Sequence, residues 1–248
     1  MSRVQKQAVV PQKRRGRKSR VIRIPVGRIL FDIVLFVLTV TVIPVLIYGV
    51  ANPSTTALMW VRWAENGNQD KYPRSFEHWV PVEHVSPHLI QAVMAGEDQR
   101  FFHHNGFDWY AIEAAIKTNL TTDRTVGAST ISMQTARNVF LWLDRSWIRK
   151  GLETYFTALM ETFWSKERIL EMYLNVIEWG DGIYGCEAAA QHYFHRSARD
   201  LSPVEAAWMA AILPNPRAWS LHDPKERVAQ RQAHILKVMD RMRIPPLQ

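Results

Sequence analysis

One stretch limits what this chain can fold into more than any other: ILFDIVLFVLTVTVIPVLIYGV, residues 29 to 50. At a helical rise of about 1.5 Å per residue, a run of this length reaches about 33 Å, enough for the hydrocarbon core of a bilayer. Pro44 does not spoil the reading, because proline is tolerated in membrane helices. The segment before it is one-sided in charge: residues 1 to 28 hold ten Lys or Arg and no acid. Positive charge flanking an apolar span stays on the cytoplasmic side, which predicts a single-pass anchor with everything after about residue 51 outside. A cleaved signal peptide is the competing reading. The apolar run is long for one, and no A-x-A cleavage site follows it.

The tail also explains the net charge of +8, since the rest of the chain has 21 basic against 23 acidic residues. The basicity therefore belongs to a tail facing an anionic leaflet, and no nucleic-acid partner is expected. A single cysteine, Cys186, excludes an intrachain disulfide, and zinc spacings of Cys and His are absent. Cys186 itself reads as a small packed residue. The expected organisation is a basic cytoplasmic tail over 1–28, a transmembrane anchor over 29–50 and one folded domain over 51–248.

That domain reads as mainly α. Ser86-Pro87, Ser202-Pro203 and Asp223-Pro224 each place a capping residue before a proline, and the last two add Glu205 and Glu226 at capping-box spacing. Ser165 reads as another N-cap. Apolar residues at 148, 152, 155, 156, 159, 160 and 163 keep a helical period. Residues 178 to 186, EWGDGIYGC, are expected to form a Gly-rich turn or a short hairpin.

Three segments carry candidate chemistry. In the helix opened by Pro87, Ile90, Val93 and Met94 make an apolar stripe, and Glu97 falls on it one turn later. A carboxylate aimed at an apolar side is desolvated and acquires the raised pKa of a general base. The alternative is a buried ion pair with Arg100 or another cation. Asp98, turned away from the stripe, reads as a supporting or capping group, and Phe101, Phe102 and Phe107 as a water-excluding wall. In VGASTISMQTARN, residues 126 to 138, Thr130, Gln134 and Arg137 share a helix face. Free N–H groups at that helix start, with Arg137, suggest a phosphate cradle; taken alone, the segment fits an ordinary capped helix with a polar outer face better. In RKGLE, Arg149 and Lys150 precede Glu153, whose place beside Phe156 and Met160 favours a cleft edge over a surface salt bridge. His103 and His104 lack a carboxylate partner at metal spacing in the sequence, so no metal site is expected from them. Residues 107 to 126, with Trp109, Tyr110, Ile112, Ile116 and Leu120, form either a packed helix or a lipid-facing jaw.

Read in order, EDQRFFHHNG, GASTISMQ, RKGLE, KERILEMYLN and YGCEAAAQHYF span residues 97 to 194. This ordered set resembles the monofunctional biosynthetic peptidoglycan glycosyltransferases, whose family includes the polymerising domain of bifunctional penicillin-binding proteins. The resemblance implies a lysozyme-like domain with a small membrane-proximal lobe, preceded by one transmembrane helix. It implies polymerisation of lipid II into β-1,4-linked glycan with release of undecaprenyl pyrophosphate, by a single inverting displacement. Glu97 would be the general base, and Glu153 would be a second catalytic residue, lying by the leaving pyrophosphate and assisting its departure. Asp98, Phe102, His104, Thr130, Gln134, Arg137, Asn138, Arg149 and Lys150 would bind or shape the substrate site. A divalent cation, magnesium or manganese, would accompany the pyrophosphate. Lipid II, the growing glycan, the membrane and cell-wall or division machinery including transpeptidases are the expected partners. Two positions depart from the family pattern: Met133 stands before Gln134 where a second glutamine is usual, and Arg137 replaces the usual lysine.

Two rivals remain open on sequence. A lytic transglycosylase or muramidase could use Glu97 as an acid but has no need of the cluster of Arg137, Arg149 and Lys150. An inactive cell-wall scaffold has no need of Glu97 and Glu153. Transpeptidation is excluded, since neither S-x-x-K nor K-T-G occurs.

Overall fold

The structure is a computed structural model that describes residues 26–66, 76, 78–122, 126–142, 144, 146–219 and 226–246. It divides into two compact units, 1–39 and 40–248. The apolar run forms a single helix, α1, Val26–Val50, starting three residues before the run itself. Backbone hydrogen bonding does not require apolar side chains, so the helix extends back through Gly27 and Arg28. Its 18-residue apolar window has a mean hydropathy of 2.7 and is almost wholly exposed, as a membrane span would be and a core helix would not.

The last turns of α1 belong to the larger unit. Four C-terminal carbonyls of any helix lack an internal partner. Here the Arg168 guanidinium donates to Tyr48 O at 2.9 and 3.0 Å and to Ala51 O at 2.7 Å. A cation at this end also complements the helix dipole. The Trp164 indole N–H donates to Val45 O at 2.7 Å.

After α1 come α2 (Ala57–Glu65), α3 (Pro87–Glu97), α4 (Trp109–Thr121), α5 (Ile131–Phe140), α6 (Trp147–Phe163) and α7 (Lys166–Val176). A hairpin of β1 (Glu178–Gly180) and β2 (Ile183–Tyr184) precedes α8 (Cys186–Phe194), α9 (Pro203–Ile212) and α10 (Glu226–Met239). The mainly α expectation and the hairpin are both met. Ser165 caps α7 through the Arg168 N–H, and Ser202 and Glu205 form the full capping box on α9. Ser86 precedes α3 but does not cap it, because its hydroxyl donates to Leu201 O at 3.0 Å instead. The expected Asp223 cap lies outside the described residues.

α7 is the spine: Ile169, Leu170, Met172, Tyr173, Leu174, Asn175 and Val176 are all buried. Lys166, Glu167, Arg168 and Glu171 stay partly exposed, and α5, α6 and α8 pack on the rest of the helix. A second stack joins α3, α9 and α10. Its middle member, PVEAAWMAAI, puts small residues at the contacts and buries everything from Ala206 to Ile212; small contact residues let helix axes approach closely. Asn175, fully buried, fastens the chain before α3. Its amide exchanges hydrogen bonds with Val80 N and O at 2.9 and 2.8 Å and donates to Glu171 O at 2.8 Å.

Candidate active site

Glu97 ends α3, below the buried residues Ile90, Val93 and Met94. Its side chain is 13% exposed. Gln134 of α5 donates its amide N–H to Glu97 Oε2 at 2.8 Å, and Arg231 of α10 donates Nη2–H to Oε1 at 2.6 Å and to Gly96 O at 2.8 Å. Each carboxylate oxygen thus has one donor and keeps a further lone pair. Burial pushes the Glu97 carboxyl up, while Gln134, Arg231 and Arg137 pull it back down. The carboxylate opens on a cavity of about 430 Å³ lined also by Gln99, Arg100, Asp108, Tyr110 and Ser129.

Gln134 cannot turn round. Tyr173, buried in α7, donates its hydroxyl to Gln134 Oε1 at 3.2 Å, leaving the amide N–H for Glu97. Burial and the nearby Glu97 charge push that hydroxyl well above its usual range, so it stays a donor.

Asp98 is the supporting group expected. Its Oδ2 accepts the Ile131 N–H at 3.1 Å, and both oxygens face His104 Nε2 at 3.0 and 3.1 Å. This corrects the phosphate-cradle reading of the α5 N-terminus. The Ile131 amide is taken by Asp98, and the Met133 amide by Thr130 Oγ1 at 3.2 Å. Thr130 also donates to Gly106 O at 2.6 Å and is buried, so it is a cap holding two loops together.

Asp98, His104 and Asp108 bring one ligand atom each within 4.8 Å of one another, a group able to hold a metal ion. This corrects the expectation that no carboxylate partners the histidines, for the two acids reach His104 only through folding. Both acids already serve helix starts: Asp98 holds Ile131 N–H, and Asp108 caps α4 through the amides of Tyr110 and Ala111.

The phenylalanine wall is also corrected. Phe101 is fully buried in the core, Phe102 packs edge-on against it at 5.0 Å, and neither they nor Phe107 line the cavity beside Glu97.

A second cavity, about 350 Å³, lies on the other side of Gln134 and is lined by Arg62, Gln134, Arg137, Asn138, Arg149, Tyr173 and Glu178 among others. Arg137 makes no ion pair among the described residues. Arg149 donates Nη1–H to Glu153 Oε2 at 2.7 Å, and Lys150 Nζ lies 2.5 Å from Glu153 Oε1. Glu153 is fully buried and not at a cleft edge: it stands behind Arg149 and orients it. Two contributors escaped the sequence reading, Arg231 and Arg62. Each sits on an amphipathic helix where an arginine reads as surface charge.

Residues 67–240 match the family model described as Transglycosylase. A protein of Bdellovibrio bacteriovorus called a biosynthetic peptidoglycan transglycosylase is 51% identical over 192 residues, 77% of each chain. One of Bacteroides thetaiotaomicron with the same name is 44% identical over 218 residues, 88% of each chain. One of Aeromonas hydrophila, again so named, is 54% identical over 164 residues, 66% of this chain and 70% of its own.

Proposed function

Because the chain belongs to the transglycosylase family, and is therefore a peptidoglycan glycosyltransferase with a mainly α, lysozyme-like domain, we propose that Glu97 is the general base of lipid II polymerisation. The observation that carries this reading is the Glu97 carboxylate itself, buried at the end of an apolar stripe, held by two donors and open to a cavity. The acceptor's 4-hydroxyl gives its proton to Glu97 and attacks the donor's anomeric carbon. The carbon–oxygen bond to the pyrophosphate breaks, and one β-1,4 bond forms with inversion. A general base near neutral pH needs the raised pKa that burial gives.

The donor's pyrophosphate belongs in the cavity of Arg137 and Arg149, whose guanidinium forks match phosphate oxygens and offset the charge of the leaving group. Glu153 and Lys150 fix Arg149 there, and Gln134 and Asn138 complete the wall. Asp98, Thr130, His104 and Phe102 shape the loops around Glu97. A divalent cation, magnesium or manganese, accompanies the pyrophosphate in this reading. Among the described residues one carboxylate, Glu178, lines that cavity, and it is bonded to Arg62, so that lining offers a cation no free ligand and negative charge there is met by arginines.

Residues 29–50 anchor the protein once in the cytoplasmic membrane, with 1–28 inside and the domain of 51–248 outside, where lipid-linked precursor is displayed. The exposed apolar face of α4 supports a lipid-facing jaw over a packed helix: Trp109, Tyr110, Ile116 and Leu120 are 54 to 81% exposed, and Ala115 alone is buried. Cross-linking falls to separate transpeptidases of the cell-wall machinery.

The test is incubation of the detergent-solubilised protein with lipid II and magnesium or manganese, with products separated on a gel. A ladder of glycan that Glu97→Gln abolishes is the expected result. Cleavage of preformed glycan without polymerisation would overturn the reading in favour of a lytic enzyme.

A further inference from the structure

α2 lies ahead of residue 67, where the match to the family model begins, yet it forms part of the arginine cavity. Thr56 caps it, and Leu58 and Met59 are buried with Tyr184 of the hairpin in a small core of their own. The helix packs on α5, which carries Gln134, Arg137 and Asn138. Leu58 and Arg62 are one turn apart and so share a face; both line the cavity. Arg62 donates Nε–H to Glu178 Oε2 at 3.1 Å and Nη1–H to Glu65 Oε2 at 3.0 Å. Glu178 Oε1 is held by the Gly182 N–H at 3.2 Å. Burial pushes the Glu178 carboxyl up, and Arg62 is the foremost group pulling it down.

Among the described residues, three guanidinium groups, Arg62, Arg137 and Arg149, line this cavity with one carboxylate, Glu178; Arg149 is also paired with Glu153 and Arg62 with Glu65, while Arg137 makes no ion pair. Three planar forks around one cavity suit an anion with several oxygens, which can accept from all of them at once. A purely structural pair of Arg62 and Glu178 does not need two more arginines beside it. We propose that α2 is a working wall of the donor cavity, in which Arg62 grips phosphate oxygens of the lipid-linked pyrophosphate donor, exchanging Glu178 for them. Arg62 is then a specificity-determining residue for an anionic leaving group, supplied by the segment that joins the anchor to the domain. The assignment rests on the polymerase reading for its ligand.

The exchange makes Arg62 and Glu178 opposite in sign. Removing Arg62 weakens the donor; removing the charge of Glu178 frees Arg62 and tightens it. The experiment compares full-length wild type, Arg62→Ala, Arg62→Lys and Glu178→Gln, all in detergent. Donor KM and kcat are measured with lipid II, and inorganic pyrophosphate is titrated calorimetrically. Arg62→Ala is expected to raise donor KM and weaken pyrophosphate about tenfold, with kcat within about twofold, the size of one charge-assisted hydrogen bond. Arg62→Lys recovers part of this, and Glu178→Gln binds pyrophosphate more tightly than wild type. If Arg62→Ala and Glu178→Gln lower the melting temperature alike and leave both donor KM and pyrophosphate affinity at wild-type values, the proposal is wrong and the pair is structural. A wild type that fails to polymerise would remove the function proposed above; the pyrophosphate titration would still decide the role of Arg62.

Discussion

Replacing Arg231 by glutamine removes one of the two donors on Glu97 and the nearest positive charge. The Glu97 carboxyl is raised by burial and lowered in part by Arg231, so losing Arg231 leaves it protonated to higher pH. A general base works only when ionised, and the acid limb of the pH–rate profile must therefore move upward. A hydrogen bond to a charged group contributes about 1.5–3 kcal/mol. The bond here is 2.6 Å, but the Arg231 side chain is 30% exposed and partly screened, which puts the effect near the lower end, about 1.5 kcal/mol. At about 1.36 kcal/mol per decade, kcat/KM falls roughly tenfold on the acid side of the limb and recovers toward wild type on the alkaline side. Initial rates of glycan formation from lipid II across acid, neutral and alkaline pH measure this directly, with Arg231→Lys expected to stay near wild type. A loss of equal size at every pH, or a limb that moves down, would refute the reasoning and make Arg231 a structural residue of α10.

Arg149→Met leaves buried Glu153 with Lys150 alone; breaking a buried pair costs about 3 kcal/mol, which thermal unfolding should show as a drop of roughly 6–12 °C for a domain of this size. Asn175→Ala strands the N–H and C=O of Val80; at about 1–3 kcal/mol for each buried unpaired group, and near the lower end because Val80 is half-buried, it should cost about 2 kcal/mol in denaturant unfolding. Gly106 has φ +84°, and a Cβ there would lie 2.7 Å from Thr157 Cγ2; Gly106→Ala should lose about 1–3 kcal/mol of stability and, through the Thr130 hydroxyl bond to Gly106 O, lower activity in the lipid II assay as well. Trp109→Ser should leave the melting temperature unchanged, because the residue is 70% exposed, while reducing turnover on vesicle-embedded lipid II; unchanged vesicle kinetics would count against a lipid-facing α4.

What the sequence disclosed was set by interactions a few residues long. The apolar run, the stripe that ends in Glu97, the caps at Ser165 and Ser202 and the glycine-rich hairpin all follow from local spacing. The partners of Glu97 do not. Arg231 reaches it from 134 residues away, on a helix whose own pattern says only that one face is polar. The link from Asp98 to the start of α5 crosses 33 residues, and without it the α5 N-terminus looks free to hold an anion. Glu153 shows the opposite difficulty. Its neighbours in sequence are its true partners, but their spacing is the same for a surface pair and for a buried one. Only the packing of α5 and α7 against α6 decides between them.

The groups around Glu97 also govern where its proton can go. Gln134 presents an amide N–H and Arg231 a guanidinium N–H, and neither gives up a proton under ordinary conditions. Tyr173, behind Gln134, is held far from ionisation. With Glu97 as the proposed base, its core side is an insulator: among the described residues that touch it, a proton taken from the acceptor sugar meets no relay into the protein. It must leave through the cavity by which the sugar arrived, handed to water between one addition and the next. Repeated chain extension at this carboxylate therefore requires that cavity to be rewetted once for every bond made, so the sliding of the polymer and the discharge of the base are bound to the same opening.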